Sequence, residues 1–262
     1  MLKHPMSTSL PAHQFRAVWV SDVHLGAREC QAARLAEFLT QIDTPHLYLV
    51  GDIFDMWKLR RRMFWPASHN AVLTRILKME QRGTQVILLP GNHDELLRNY
   101  LGVSFGNIKI LDECIHTLLD GRRLLVIHGD QFDEVIIHAK WLAFIGERAY
   151  TFAIYINRAF NFVRRKLGFR YWSLSAYLKQ RVKAAALRDY RESLIRAARD
   201  RKTDGVVCGH THTPEMREQD GILYINDGDW VESCSALVEH LDGRLELIDL
   251  RPREHQASQV AA

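Results

Sequence analysis

The chain has 262 residues, of which 47% are hydrophobic and 25% are charged, and this composition excludes a long disordered or collagen-like chain. Its formal net charge of +4 is unevenly distributed, because residues 134–202 carry 16 Lys/Arg and 5 Asp/Glu, a local charge of +11 against −7 for the remainder. Four cysteines without paired spacing exclude a disulfide framework and a zinc finger, and the lack of any uninterrupted apolar run of 18 residues excludes a plain transmembrane helix.

Short apolar runs recur along the chain, and each is too short for a helix and rich in Val, Ile and Leu. Such runs predict buried strands, which cover Arg16–Val20, His46–Val50, Thr84–Leu89, Leu124–Ile127 and Gly205–Cys208. Between the early runs, apolar residues at helical spacing predict helices over Gln31–Ile42 and Ala71–Arg82. This alternation of strands and helices predicts an α/β fold that begins as a largely parallel sheet.

The later part of the chain has a different pattern. Three Asp-Gly pairs lie between strand-like runs and predict hairpin turns, at Asp120-Gly121, Asp220-Gly221 and Asp242-Gly243. Antiparallel hairpins added to parallel strands predict mixed sheets with helices on the outside.

The basic segment at residues 134–202 interrupts the strand series. Apolar residues from Trp141 to Leu167 fall at spacings of three, four or seven. This spacing predicts a long helix with these residues on one face. We therefore expect a helical insertion within a single domain spanning residues 15–252, with flexible tails at 1–14 and 253–262. The positive charge of the segment suits phosphates or an anionic membrane surface, and a solvated helix face is an equally simple interpretation.

Polar side chains that can bind metals follow five of the predicted strands. Ligands of open α/β sheets bind beyond the carboxyl ends of the strands, so we expect these side chains to converge. Taken singly, each has a simpler interpretation as a helix cap, a turn residue or a surface histidine. Together they offer the oxygen and imidazole donors of a dinuclear site without thiolates, which favours manganese, iron, cobalt or zinc over calcium. The set is Asp22, His24, Asp52, Asn92, His128, His210 and His212.

The motifs that contain these residues resemble the five motifs of the calcineurin-like metallophosphoesterases. They are Asp22-Val23-His24, Gly51-Asp52-Ile53-Phe54-Asp55, Gly91-Asn92-His93-Asp94, His128-Gly129-Asp130 and Gly209-His210-Thr211-His212. The resemblance implies a four-layer α-β-β-α sandwich of two mixed sheets with a helical lid insertion. It also implies two divalent ions, with manganese the expected metal. One ion is implied on Asp22, His24, Asp52 and His212, the other on Asn92, His128, His210 and the shared Asp52.

The catalytic residues are expected next to these ligands. His93 follows the ligand Asn92 and is the candidate to protonate or hydrogen-bond the leaving oxygen, with Asp94 orienting its ring. A packed or capping histidine is the alternative at this position. Asp55 is expected either to fix a histidine or to form a turn. The candidate substrate-binding residues are Asn92, His93, His210, Arg164, Arg165 and Lys179.

Within the superfamily, the chain most resembles the UDP-2,3-diacylglucosamine hydrolases of lipid A biosynthesis and their relatives. Residues 51–57, the insertion after His128 and residues 226–232 carry this likeness. It implies cleavage of the pyrophosphate of a nucleotide-linked, doubly acylated sugar, with the insertion over the acyl chains. His93 departs from the arginine that many such enzymes carry, so a phosphodiesterase or phosphatase of another lipid or nucleotide is a serious alternative.

Two further functional classes, a nuclease and a non-catalytic scaffold, fit the sequence less well. A nuclease is disfavoured because the basic residues are interleaved with aromatic ones and no nucleic-acid motif is present. A non-catalytic scaffold is disfavoured because the complete ligand set and His93 are present.

Residues 1–14 lack the apolar stretch of a secretory leader, so we expect a cytoplasmic protein that contacts the inner face of the membrane peripherally. The sequence makes no prediction of the oligomeric state.

Overall fold

A computed structural model of the chain describes residues 13–132 and 174–251. Of these, residues 13–130 and 198–251 belong to one compact unit, and residues 131–132 and 174–197 belong to a second. Within the described ranges, no helix combines the length and the apolar character needed to cross a membrane. The single domain at 15–252 with an insertion at 134–202 stays a prediction.

The first unit is built mainly from strands. They are β1 (His13–Val20), β2 (Ile42–Asp43), β3 (His46–Val50), β4 (Gln85–Leu89), β5 (Ser104–Phe105), β6 (Ile108–Ile110), β7 (Glu113–Thr117), β8 (Arg123–Ile127), β9 (Gly205–Cys208), β10 (Glu215–Gln219), β11 (Ile222–Asn226), β12 (Ser235–His240) and β13 (Leu245–Asp249). The α-helices are α1 (Ala32–Gln41), α2 (Met56–Arg61), α3 (Ala67–Gln81) and α4 (Leu174–Asp200), of which α4 lies mostly in the second unit. Short 3-10 helices cover Glu95–Tyr100 and Asp130–Phe132.

The strands form two mixed sheets. The first has the order β13-β12-β1-β3-β4-β6-β5, with β2 paired to β1, and its centre β1-β3-β4-β6 is parallel. The second has the order β10-β11-β9-β8-β7, and β8, β9 and β11 are parallel. The predicted hairpins are confirmed as the antiparallel pairs β7/β8, β10/β11 and β12/β13. The predicted α/β class with two mixed sheets and helices is likewise confirmed.

Both faces of the first sheet are buried, which explains why its central strands are continuous apolar runs. Successive side chains of β1 point to opposite faces. Val18 and Val20 pack in a cluster with residues of α1 and α3 such as Leu35. Ala17 and Trp19 pack in a second cluster with residues of the other sheet, among them Leu124, Val126, Val207 and Ile225. The two sheets therefore share an apolar layer, and α1 and α3 cover the opposite face of the first sheet.

A buried polar chain crosses this layer between the sheets. Glu239 on β12 accepts a hydrogen bond from Arg16 Nε at 3.2 Å and lies 3.0 Å from Nε2 of His116 on β7. Since a carboxylate only accepts, Nε2–H of His116 donates to it, and Nδ1 then accepts from the Tyr48 hydroxyl at 2.8 Å. Trp19 stacks on Tyr48 with ring centroids 5.1 Å apart. These hydrogen-bonded side chains tie β1, β3 and β12 of the first sheet to β7 of the second.

Three features differ from the sequence-based expectations. Strand β1 begins at His13, two residues inside the predicted tail, because His13 and Gln14 pair with β2. Helix α3 begins at Ala67 after Pro66, ahead of the predicted Ala71, because its polar first turn carries no apolar period. The six-residue helix α2 was not predicted, since one and a half turns are too short to show periodicity. The predicted insertion helix between Trp141 and Leu167 lies outside the described residues.

Candidate metal centre

The predicted ligands follow parallel strands of both sheets. Strands β1, β3 and β4 lead to residues 22–24, 52 and 92–93, and strands β8 and β9 lead to residues 128 and 210–212. Because parallel strands place their carboxyl ends at one edge, these segments meet there. Backbone hydrogen bonds join the loops, from Asp22 N to Gly51 O at 3.0 Å and from Gly209 N to His128 O at 3.2 Å.

The backbone turns sharply at five of these positions. Non-glycine residues with a left-handed φ are rare, and among the described residues eight have one. Five of the eight are predicted ligands: Asp22 (49°), His24 (54°), Asp52 (52°), His210 (68°) and His212 (52°). Such conformations cost free energy and persist where surrounding contacts impose them. The ends of β1, β3 and β9 are therefore bent sharply where their polar side chains approach one another.

Asp22, His24 and His212 form the first group of donor atoms, which lie within 4.8 Å of one another. Nε2 of His212 is 3.2 Å from Oδ1 of Asp22. Nε2 of His24 is 4.0 Å both from that oxygen and from Oδ2 of Asp52. Two imidazoles and a carboxylate at these distances can share one cation.

Asp52, His128 and His210 form a second group within the same 4.8 Å limit. Nε2 of His128 is 3.6 Å from Oδ2 of Asp52, and the rings of His128 and His210 are 5.2 Å apart. Asp52 thus approaches both His24 and His128, which is the position of a carboxylate between two cations.

Unsatisfied polar atoms test whether this centre suits metals. Nε2 of His24, Oδ1 of Asn92 and Nε2 of His128 are buried, and none has a hydrogen-bond partner within residues 13–132 and 174–251. Buried polar atoms of proteins normally have such partners. Imidazole nitrogens and amide oxygens are donors to manganese, iron, cobalt and zinc. The residues present therefore fit a pair of divalent ions.

The electrostatics of the centre point the same way. Burial disfavours a charge on His128, yet the close approach of the Asp52 carboxylate, with Oδ2 3.6 Å from Nε2, together with attraction to Asp22, raises the pKa of His128 to about 10. Burial also works against ionisation of Asp52, but His128 and the backbone N–H of His93 hold its pKa well below the usual value. The carboxylates of Asp22 and Asp52 are thus kept ionised within the centre, which favours binding of divalent cations.

Groups behind the candidate ligands hold their rings and carboxylates in place. Nδ1–H of His128 donates to the Val50 carbonyl at 2.8 Å, so Nε2 is the nitrogen directed to the centre, and it binds a metal after losing its proton. The backbone N–H of His210 donates to Oδ2 of Asp22 at 2.8 Å, and that of His93 to Oδ1 of Asp52 at 2.7 Å. Oδ2 of Asp229 lies 3.9 Å from Nδ1 of His212. Sequence analysis missed Asp229, although the run Asp227-Gly228-Asp229 after β11 could have indicated it.

His93 lies at the edge of the centre with its ring partly exposed. The ring packs edge-on against His24, with centroids 4.6 Å apart, and against Trp57 at 4.1 Å. Nδ1 of His93 is 3.3 Å from Oδ1 of Asp55, whose other oxygen is 3.7 Å from Nδ1 of His24. Asp55 also caps α2 by accepting from Lys58 N at 2.9 Å, so this carboxylate lies beside two histidine rings and begins a helix rather than a turn.

Asp94 does not have the contacts expected of it. Its Oδ2 accepts from the backbone N–H groups of Ile53 at 2.8 Å and Phe54 at 3.2 Å, and its Oδ1 from that of Gly91 at 2.7 Å. Burial raises the pKa of this carboxyl group. Asp94 therefore joins the loops after β3 and β4, and Asp55 is the carboxylate beside His93. Adjacency in sequence misled the prediction, because the Asp94 side chain turns back toward the loop backbone.

Glycines directly before three ligands permit the close approach of these loops. A Cβ at Gly91 would lie 2.3 Å from Oδ1 of Asp52 and 2.6 Å from Nε2 of His128, and one at Gly209 would lie 2.4 Å from Oδ2 of Asp22. No side chain larger than hydrogen fits at these positions without movement. The repeated Gly-ligand order in the motifs was the available signal for this role.

The predicted substrate-binding residues divide into two sets. Asn92, His93 and His210 lie at the centre. Arg164 and Arg165 lie outside the described residues, and Lys179 lies in α4 with a side chain that is not described.

Comparisons with known proteins were made for the whole chain. The family model of the calcineurin-like phosphoesterases matches residues 15–214. A UDP-2,3-diacylglucosamine hydrolase of Aeromonas salmonicida is 27% identical, over 84% of this chain and 88% of the relative. One of Cellvibrio japonicus is 29% identical, over 75% of this chain and 82% of the relative. Among solved structures, an archaeal phosphodiesterase matches with a TM-score of 0.40 and 14% identity, over 89% of this chain and 98% of its own.

Proposed function

This chain belongs to the calcineurin-like phosphoesterase family and is a metal-dependent phosphoesterase, and from that premise we propose that it hydrolyses the pyrophosphate bond of a nucleotide-linked acylated sugar. The proposed reaction is that of a UDP-2,3-diacylglucosamine diphosphatase, which releases UMP and an acylated sugar 1-phosphate. Relatives with that printed name, aligned over most of both chains, support the substrate. The observation that carries the chemistry is the convergence of Asp22, Asp52 and His128 with unsatisfied donor atoms at one sheet edge.

We propose two divalent ions, with manganese as the physiological metal, held as the sequence motifs imply. Asp22, His24, Asp52 and His212 hold one ion, and Asp52, Asn92, His128 and His210 hold the other. Two of the three groups of donor atoms within 4.8 Å support this division, and the third brings His93 together with His24 and Asp52. When bound, such a pair supplies Lewis-acid charge for phosphate oxygens and lowers the pKa of water toward neutrality.

The protein's own contribution to bond cleavage centres on His93. In hydrolysis of the anhydride, water releases a proton to the solvent as its oxygen bonds to phosphorus, and the bridging oxygen leaves with the electron pair of the broken bond. A proton transferred from Nε2 of a charged His93 ring to that oxygen assists its departure. The carboxylate of Asp55, with Oδ1 3.3 Å from Nδ1, stabilises the charged ring electrostatically. Trp57 packs on the same ring and limits its rotation.

A second candidate function is hydrolysis of a different phosphodiester or phosphomonoester of a lipid or nucleotide. The feature that favours it is His93 itself, because an imidazole can transfer a proton near neutral pH whereas a guanidinium stays charged. The two candidates share the metal centre and differ in what occupies the space around it.

Location and membrane contact belong to the same proposal. We propose that the chain acts in the cytoplasm and that residues 134–202, with a net charge of +11, bring it to anionic lipid at the inner face of the membrane. Binding to vesicles with and without phosphatidylglycerol tests this, and equal binding to both would contradict it.

The deciding experiment is a substrate panel with the full chain and manganese. UDP-2,3-diacylglucosamine, a UDP-sugar without acyl chains, bis(p-nitrophenyl) phosphate and p-nitrophenyl phosphate are compared by kcat/KM. We expect release of UMP from the acylated substrate to be fastest. A chain that cleaves a simple ester but leaves the acylated substrate intact supports the second candidate.

Three variants separate metal binding from proton transfer. Asp52→Asn and His128→Ala should abolish hydrolysis of bis(p-nitrophenyl) phosphate and lower the manganese content without unfolding the chain. His93→Ala should lower turnover by roughly 10²- to 10⁴-fold, the range for loss of a general acid, with manganese content nearly intact. If His93→Ala instead loses manganese, the ring is a ligand and the proposed role is wrong.

A further inference from the structure

A second cavity adjoins the one at the metal centre. The cavity at the centre has a volume of about 280 Å³, and its walls include His24, His93, Glu29 and Lys58. The adjoining cavity, here called the arginine groove, has a volume of about 220 Å³ and is lined by Gly26, Arg28, Glu29, Lys58, Arg61, Arg62 and Phe64. Glu29 and Lys58 line both, so a ligand anchored at the centre can extend into the groove.

The arginine groove has an excess of positive charge. It contains four cationic side chains and one carboxylate, that of Glu29, which pairs with Nζ of Lys58 at 2.8 Å. Within the described ranges, no carboxylate lies within ion-pair distance of Arg28, Arg61 or Arg62. Three guanidinium groups are therefore left to attract an anion. Guanidinium groups bind phosphate through paired hydrogen bonds.

The local structure explains why these cations gather on one side. Lys58 and Arg61 are three residues apart on α2 and so share a face of the helix. Arg62 follows as the helix ends, and the guanidinium of Arg28 is held over the ring of Phe64 at 4.7 Å. Arg60 belongs to the same helix but is not among the residues that line either cavity.

Helix α2 also fixes how far the groove lies from the reacting atoms. Its N-cap is Asp55, whose oxygens approach His93 and His24, and its last residue is Arg61 in the groove. Six residues at 1.5 Å per residue give a length of roughly 9 Å. A group bound by Arg61 is therefore separate from the phosphate at the centre but within reach of the same small molecule.

We propose that the arginine groove binds a second phosphate group of the substrate, one that is not hydrolysed. The inference rests on the proposed function, because it requires a phosphate ester at the metal centre. It favours the second candidate function, because the two phosphates of UDP-2,3-diacylglucosamine are joined through one bridging oxygen and cannot occupy both sites, whereas a lipid or nucleotide with two separate phosphates can. The groove then selects bisphosphorylated over monophosphorylated compounds, whether the second phosphate belongs to a nucleotide or to a lipid headgroup.

Matched nucleotides test the groove without relying on turnover. Binding of thymidine 3′,5′-bisphosphate and thymidine 5′-phosphate to the full chain is measured by calorimetry, with manganese and after chelation. We expect the bisphosphate to bind at least roughly tenfold more tightly, the effect of one additional charge-assisted hydrogen bond. The double variant Arg61→Ala/Arg62→Ala should reduce this preference to about one. Arg60→Ala removes the same charge from the same helix outside the groove and should preserve it.

Kinetics with the p-nitrophenyl esters of the same two nucleotides complete the test. In the double variant, KM for the ester with the 3′-phosphate should rise about tenfold while its kcat changes little. Both KM and kcat for the ester without the 3′-phosphate should change little. Equal binding of both nucleotides by the unmodified chain overturns the proposal. So does an Arg60→Ala variant that loses the preference for the bisphosphate as fully as the double variant does. If the chain does not cleave UDP-2,3-diacylglucosamine but still prefers the bisphosphate in a way that depends on Arg61, the proposed substrate is refuted. The proposed role of the groove then still stands.

Discussion

Replacement of Gly91 by alanine tests whether close approach of the backbone holds the metal centre together. The new Cβ would lie 2.3 Å from Oδ1 of Asp52, and contacts below 3.0 Å essentially do not occur, so the carboxylate or the loop must move by about 0.7 Å. Gly91 does not have a left-handed φ, so alanine adds a steric clash and no backbone strain. Ligand distances in metal sites vary by only about 0.2 Å, which makes the required movement large.

We expect Gly91→Ala to weaken manganese binding by roughly 10- to 100-fold or more, the loss seen when groups that support metal ligands are disturbed. The fold should lose only about 1–3 kcal/mol, as in other overpacked sites. Manganese content after dialysis at graded free concentrations and thermal unfolding followed by circular dichroism measure the two effects.

Gly83→Ala is the matched control. Its φ of +101° strains an alanine, but nothing lies within 4 Å of the added Cβ. It should therefore lower stability without changing metal affinity. If Gly91→Ala binds two manganese ions as tightly as the unmodified chain, the reasoning from close approach is refuted.

Three further predictions concern side chains near the centre and between the sheets. Asp55→Asn keeps a helix-capping side chain but removes the charge beside His93, so kcat should fall about tenfold with little change in thermal stability; an unchanged kcat would contradict the role of Asp55. Tyr48→Phe leaves Nδ1 of His116 without its donor and should lower the free energy of unfolding, measured in urea, by about 1–3 kcal/mol. A change near zero would show that the hydrogen bonds between the sheets add no stability. Burial lowers the pKa of His116 despite attraction to Glu239, so the unfolded chain binds the proton more readily. The unfolding free energy should then fall as pH drops through about 6.5, less steeply in His116→Gln, and identical slopes would refute this.

Most of the strands and the convergence of ligands could be predicted from local patterns. A buried parallel strand requires a continuous apolar run, and such runs indicated β3, β4 and β9 directly. Because the carboxyl ends of parallel strands share an edge, the order of the motifs then predicted which polar residues meet.

The details of the centre could not be predicted in the same way. The left-handed turn at Asp22 depends on the neighbouring loop, since its N–H donates to the Gly51 carbonyl across the sheet edge. The exchange of roles between Asp94 and Asp55 depends on side-chain direction, which sequence spacing does not specify. The arginine groove depends on α2, whose six residues are too few to reveal a helical period.

The pairing of β1 with β12 has a consequence for synthesis on the ribosome. Arg16 and Glu239, linked across this pair, are 223 positions apart, so one side of β1 has no partner until the ribosome has reached β12. At 5–20 residues per second that wait is roughly 10–50 s. During it, the nascent polypeptide presents an open strand edge on which another chain can pair.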